Sequence, residues 1–107
     1  LFDEEIFMYM DEVEFLERAR EKGYDVLFYP KARFVHSGAA SSGNKRTPVT
    51  HIFRGLLYLF RKRRSALSLA VLRFLLRMKA TIAIVIGTIR RDTEFVRVYE
   101  EARRLAT

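Results

Sequence analysis

The feature that most constrains the fold is the stretch from Thr50 onward, in which apolar residues recur at helical spacing between basic ones. Residues 51–64 place aliphatic and aromatic side chains three and four positions apart, which is typical of an amphipathic helix. Ser65 and Asp92 are residue types that cap helix N-termini, so the sequence predicts a further helix after each of them. The second half of the chain is therefore expected to be helical.

None of these helices is expected to cross a membrane, because spanning takes about 18 or more residues nearly free of charge. Arg73, Arg77 and Lys79 interrupt the longest apolar window, and Arg90 closes the next one. A basic helix with a broad aliphatic face suits the surface of an anionic bilayer. It equally suits packing against the rest of the protein, and the sequence leaves these two alternatives open.

Charge is distributed unevenly along the chain. Residues 1–21 hold eight acidic and two basic side chains, whereas residues 22–91 hold fifteen basic side chains and a single acidic one. The basic stretch would attract phosphates on nucleotides, nucleic acids or lipids. Its aromatic residues sit at helical core spacing, which argues against nucleic-acid binding. Half of the chain is apolar and it has no cysteine, so a disordered tail and a disulfide scaffold are excluded.

The first half of the chain predicts a mixture of elements. Asp11 with Glu14 has the form of a capping box at the start of a helix, and Gly23 is the residue expected just beyond its end. Residues 25–29 and 33–36 are rich in aromatic and β-branched side chains, which predicts two short strands. The glycines and serines that follow predict a loop.

The first candidate for chemistry is the group of carboxylates Asp11, Glu12 and Glu14, which follows an aromatic and methionine-rich segment. A carboxylate beside an apolar wall can act as a proton acceptor. The simpler interpretation is structural: Asp11 caps the helix, and the two glutamates stand at the positive end of its dipole. The residues alone favour the structural interpretation.

The second candidate is His36, which ends the second predicted strand just before the loop. A histidine in that position can bind a metal or a phosphate. Lys45, Arg46 and Arg54 would add positive charge to a phosphate site. The residues alone favour an ordinary hydrogen-bonded or solvated role for each of these side chains.

Taken together, these residues resemble a signature of family 2 glycosyltransferases, in the rhamnosyltransferase-like group. That pattern runs F-D-E, two residues, F-M-Y, one residue, an acidic pair, one residue and another acid. It continues with an arginine, Gly-Tyr, an aromatic strand, a proline, an alanine and a histidine followed by Gly and Ser. The matching residues are Phe2-Asp3-Glu4, Phe7-Met8-Tyr9, Asp11-Glu12, Glu14, Arg18 or Arg20, Gly23-Tyr24, Pro30, Ala32, His36 and Gly38. Arg54-Gly55 and Lys62 match a later part of the pattern only partially, since the family often has Arg-Asn there.

The resemblance implies an α/β fold class. Residues 1–48 would be the acceptor-side, C-terminal portion of a GT-A, Rossmann-like catalytic domain, with one helix and two short strands. Residues 49–107 would be an amphipathic, basic α-helical extension. The nucleotide-binding half and the D-x-D metal motif would lie outside this sequence, so these 107 residues alone are expected to be inactive.

The resemblance also implies roles for the candidate residues. The second member of the acidic pair, Glu12, would be the general base that deprotonates the acceptor hydroxyl. The family's usual order is Glu then Asp, and the inverted order here leaves Asp11 as the alternative base. His36 would contact a divalent metal, Mn²⁺ or Mg²⁺, or the leaving diphosphate.

The leading hypothesis is an inverting glycosyltransferase that uses a nucleotide-sugar donor and a glycan or lipid-linked acceptor. It would act in the cytoplasm, peripherally at the inner face of the cell membrane, with no nucleic-acid partner. Two other hypotheses compete with it: a non-catalytic basic module that binds anionic membrane or a partner protein, and a glycosyltransferase-like protein with a degenerate acidic pair. The apolar faces left exposed also predict self-association into a homo-oligomer.

Overall fold

The computed structural model describes residues 1–37 and 47–107, with Thr47 described by its backbone only. The described residues form four α-helices: α1 (Asp11–Glu21), α2 (Thr47–Arg63), α3 (Ala66–Ile89) and α4 (Thr93–Leu105). The expectation of a helical second half is confirmed. Residues 81–89, which are apolar and β-branched, continue α3 without interruption.

The predicted α/β fold is wrong for the part of the chain that the structure describes, because residues 25–29 and 33–36 form no strands. Their residue types favour extended backbone, but a strand exists only where a neighbouring strand completes its hydrogen-bond ladder, and an isolated hairpin is at best marginally stable. Here residues 24–37 are exposed and irregular, with a turn at Pro30 and Lys31. Their backbone hydrogen bonds to other described residues are confined to Tyr24, which donates to Ala19, and Ala32, which donates to Tyr29.

The predicted caps of α3 and α4 are confirmed. The Ser65 hydroxyl oxygen accepts the Ser68 amide hydrogen at 3.2 Å, and a carboxylate oxygen of Asp92 accepts that of Phe95 at 3.0 Å. Each bond satisfies an amide that the helix itself leaves unpaired. Local sequence therefore determines where both helices begin.

The two ends of α1 differ in how well the sequence predicts them. Gly23 is confirmed beyond its C-terminus: it has a φ of 86°, and its amide donates to the Arg20 carbonyl at 3.0 Å. At the N-terminus, Met10 rather than Asp11 occupies the cap position, with no side-chain cap bond. The predicted capping role of Asp11 is therefore wrong, because Asp11 is already the first helical residue.

Helices α2, α3 and α4 pack around one apolar core. Its buried members come from all three helices and the residue after α4; they are Phe53, Leu57, Leu76, Ala80, Ala102 and Ala106. Gly87 lets α3 and α4 approach closely, since a Cβ atom there would lie only 2.8 Å from side-chain atoms of Phe95 and Val96. These three helices are called the bundle below.

No helix in residues 1–37 or 47–107 has an apolar stretch long enough and free enough of charge to cross a membrane. This confirms the expectation from the basic residues that interrupt α3. The helix has the length to span, since 24 residues at 1.5 Å each give about 36 Å. Its charges, rather than its length, fail the requirement.

Candidate functional site

The turn before α1 packs against α2 at Gly55. Tyr9 and Met10 both have left-handed backbone, with φ of 61° and 64°, which is uncommon for residues other than glycine. A Cβ atom at Gly55 of α2 would lie 3.0 Å from the Met10 Cβ and 3.2 Å from the Tyr9 carbonyl oxygen. The absence of a side chain at Gly55 therefore lets this turn, and the first residues of α1 after it, lie directly against α2.

A groove of about 220 Å³ lies beside this contact. One wall is the segment from Glu5 to Met8, and the other is the face of α2 that carries His51, Arg54 and Gly55. The Phe7 and His51 rings are 5.3 Å apart between centroids. The structure thus brings Arg54, a predicted site residue, to the same part of the molecule as the signature segment. His51 was missed by the sequence reasoning, and its helical spacing beside Arg54 was the available signal.

The two candidate bases differ in exposure. Asp11 is half-buried at the first position of α1, and Glu12 is exposed to solvent. Adjacent helical residues point about 100° apart, so the two carboxylates do not share one direction. Within the described residues the Glu12 carboxylate has no hydrogen-bond or ion-pair partner, and it is exposed to solvent.

Glu14 has a different role, because its side chain is completely buried. It accepts hydrogen bonds from Arg63 at 2.9 Å, Arg18 at 3.2 Å and Lys62 at 3.3 Å. Burial alone raises the pKa of the Glu14 carboxyl, but the bonds from Arg63 and Lys62 outweigh it, so the pKa lies below the usual 4.5. Glu14 is therefore held as a carboxylate that anchors α1 to the end of α2.

Asp3 extends this group of charges to the start of the chain. Its carboxylate accepts from Lys62 at 2.5 Å and from the Tyr58 hydroxyl at 3.0 Å. The bond from Lys62, with a smaller contribution from the Glu5 amide, lowers the pKa of Asp3 from 3.8 to about 2. We call Asp3, Glu14, Arg18, Lys62 and Arg63 the ion cluster.

Further ion pairs join α1 to the end of α2 around the ion cluster. Arg63 also reaches Glu21 at 2.5 Å, and Arg64 reaches Glu17 at 2.5 Å. The contacts with Glu21 and then with Glu14 raise the pKa of the Arg63 guanidinium. The sequence suggested Glu14 as part of a capping box, as a charge at the helix dipole and as a candidate proton acceptor, but not as the centre of an ion cluster. The basic run of residues 61–64 was the signal that an acidic partner was needed.

The remaining predicted residues are not brought to this site. His36 is exposed near the end of residues 24–37, and Lys45 and Arg46 lie outside the described residues. In the described part of the chain, no three His, Asp or Glu side chains converge as metal ligands. His36 therefore belongs to no such group in those residues.

Comparison with known proteins finds no matching family model, curated protein or solved structure. The functional argument therefore depends on the signature residues and on the geometry described above. In that geometry the Glu14 carboxylate is buried and held by basic side chains. The Glu12 carboxylate, two residues earlier in the sequence, is exposed to solvent.

Proposed function

We propose that this chain is the acceptor-side part of an inverting glycosyltransferase that uses a nucleotide-sugar donor, with Glu12 as the general base. The observation that supports the proposal is the difference in burial between two glutamates on the first turn of α1. Glu14 is buried in the ion cluster, which fixes α1 against α2, while Glu12 on the same turn is exposed. A base must be held in place by other residues while its own carboxylate stays accessible.

The proposed reaction is a single displacement. The Glu12 carboxylate accepts the proton of the acceptor hydroxyl as its oxygen forms a bond to the anomeric carbon. The bond from that carbon to the donor phosphate oxygen breaks, and the nucleoside diphosphate leaves with the electron pair. Attack from the face opposite the leaving group inverts the anomeric centre, and one base on the acceptor side suffices.

Positive charge is needed where the diphosphate departs. Arg54 is the described candidate for this role, because it lies on α2 beside the signature segment and its guanidinium is mostly exposed. Its one described ion pair, with Glu101, is long at 4.0 Å and therefore weak. His36, Lys45 and Arg46 remain proposed diphosphate contacts. The donor site, with Mn²⁺ or Mg²⁺ as Lewis acid, would come from residues outside this sequence.

The test is transfer by the intact enzyme that contains these residues, assayed with a panel of nucleotide sugars and with glycan and lipid acceptors. Glu12→Gln removes the proton acceptor at nearly constant shape, so kcat is expected to fall by about 100-fold or more with the fold unchanged. Glu100→Gln, an exposed change on α4, is the matched control. Asp11→Asn tests the alternative base.

Each outcome of this assay separates the competing hypotheses. Loss of transfer in Asp11→Asn but not in Glu12→Gln would move the base to Asp11. If no acceptor is used by the wild type, while vesicles are still bound, the non-catalytic membrane module is favoured. A wild type that binds nucleotide sugar without transfer would indicate a degenerate acidic pair.

We also propose that the enzyme acts at the inner face of the cell membrane, where lipid-linked acceptors are found. The support is the excess of basic residues between residues 22 and 91. Cell fractionation of the intact protein tests this: recovery with membranes that high salt releases is expected. Recovery in the soluble fraction at low salt would contradict it.

A further inference from the structure

Helix α3 exposes a second apolar surface that the bundle does not use. Nine large apolar side chains along its length are between 42% and 77% exposed. We call this surface the outer face of α3; its members are Leu67, Val71, Phe74, Leu75, Met78, Ile82, Val85, Ile86 and Ile89.

The outer face is a continuous stripe rather than scattered residues. At about 100° per residue, its nine positions fall within a sector about 120° wide. The positions that α3 buries in the bundle, Leu76, Ala80 and Gly87, point the opposite way. Helix α3 is therefore apolar on two opposite sides, of which the packing in the described residues uses one.

Basic side chains flank the outer face, and α3 contains no acidic residue. Arg77 lies beyond one edge of the stripe and Lys79 beyond the other. Arg73 and Arg77, one turn apart, line a groove of about 730 Å³ together with Phe74, Met78 and Ile82. In the described ranges neither arginine has an ion-pair partner, but Arg77 is exposed, whereas Arg73 is half-buried toward the bundle side of α3.

We propose that the outer face of α3 binds the surface of a bilayer that contains anionic phospholipid, with the helix axis parallel to the membrane. The apolar stripe would enter the boundary between headgroups and acyl chains, and Arg77 and Lys79 would contact lipid phosphates. Charges of one sign on both edges fit a uniformly anionic surface. The helix lies flat because these charges fall in its middle, where a spanning helix cannot hold them.

The backbone of α3 also suits this environment. Every amide and carbonyl in the middle of a helix is paired within the helix, so the outer face presents only side chains to lipid. This proposal does not depend on the glycosyltransferase proposal. Vesicle binding and sugar transfer are separate measurements, and either can fail while the other succeeds.

The first test is flotation of the 107-residue chain with vesicles. We expect binding to phosphatidylcholine vesicles that contain phosphatidylglycerol and little binding to phosphatidylcholine alone. Met78→Glu, in the centre of the stripe, should weaken binding roughly tenfold, and Arg77→Gln roughly fivefold. The matched control Thr93→Glu adds the same charge on α4 and should weaken binding less. Thermal melting monitored by circular dichroism confirms that each variant is folded.

The second test uses the absence of tryptophan from this chain. Met78→Trp reports on the outer face, and Arg61→Trp reports on an exposed position of α2. Anionic vesicles should shift the emission of the first to the blue and leave the second unchanged. Equal shifts at both positions, or no binding to anionic vesicles, would overturn the proposal. So would a lipid-independent dimer that Met78→Glu dissociates in light scattering, since a second copy of the chain would then cover the face.

Discussion

The N-terminal part of the chain, residues 1–37, and the bundle of α2, α3 and α4 are held in place by different forces. The bundle has an apolar core to which three helices contribute. The N-terminal part buries only Ile6 and Glu14 among its described residues, and the ion cluster attaches it to α2. Apolar burial depends little on pH or salt, whereas ion pairs depend on both.

The two regions also differ in the surfaces that they leave exposed. Residues 24–37 and the outer face of α3 both present large apolar side chains to solvent; Phe28, for example, is 90% exposed. Residues 24–37 have few backbone hydrogen bonds to described residues, whereas the backbone of α3 is paired within the helix. Hydrocarbon requires paired backbone groups, and the helical backbone of α3 meets that requirement.

The largest expected effect on stability comes from truncating a phenylalanine in the core, compared with truncating an exposed one. Phe53→Ala should lower the free energy of unfolding by about 3–5 kcal/mol, because it leaves a cavity between α2 and its neighbours. The control Phe28→Ala should change it by less than about 0.5 kcal/mol. Urea denaturation monitored by circular dichroism measures both. Equal losses would mean that residues 24–37 are packed in solution, and the comparison would fail.

A smaller effect is expected where the N-terminal part joins α2. Glu14→Gln removes the buried charge that Arg63, Lys62 and Arg18 share. We expect the free energy of unfolding to fall by about 2 kcal/mol, a moderate loss because solvent already screens the pair with Lys62. Glu12→Gln, an exposed change on the same turn, should leave the stability within about 0.5 kcal/mol. Amide hydrogen exchange should show the loss in α1 rather than in α3. Protection lost equally in both helices would contradict a separately attached α1.

Acidification should weaken the same attachment. The pKa of Asp3 is lowered from 3.8 to about 2, so its contribution to stability is complete well above pH 3.8 and is lost as the pH falls toward 2. The lowered pKa of Glu14 acts in the same direction. We expect Asp3 to account for no more than about 1 kcal/mol by about pH 3. Asp3→Asn should flatten the profile, and an unchanged profile would show that other carboxylates dominate.

The smallest effect concerns the contact between the Tyr9–Met10 turn and α2. Alanine at Gly55 gains up to about 1 kcal/mol of helix propensity but places a Cβ atom 3.0 Å from that of Met10. We expect the clash to outweigh the gain slightly, with a net loss of about 0.5 kcal/mol. Denaturant titration of Gly55→Ala measures this. A stabilised variant would show that the turn does not pack against α2 as described.

Features that depend on neighbouring residues could be predicted from the sequence. Ser65, Asp92 and Gly23 act on amides or backbone within a few positions, and all three were predicted in place. The two strands were predicted wrongly because their residue types describe an extended backbone but cannot supply the partner strand that a ladder needs.

The candidate site was predicted only in part, for a related reason. The signature segment and Arg54 lie together, but the role of Glu14 depends on Lys62 and Arg63, which are 48 and 49 positions away in the sequence. A list of residue types does not show which distant charges will meet. The sequence also could not show which side of α3 is exposed, because both sides of that helix are apolar.

The long reach of the ion cluster has a consequence for how the chain is made. Asp3 contacts Tyr58 and Lys62, which follow it by 55 and 59 positions. During synthesis the N-terminal part leaves the ribosome well before those partners exist, whereas α3 and α4 meet as soon as a short connection has emerged. Distant contacts also form later because loop closure must precede them. Relative to the bundle, residues 1–37 are therefore translated earlier but are expected to reach their final contacts later.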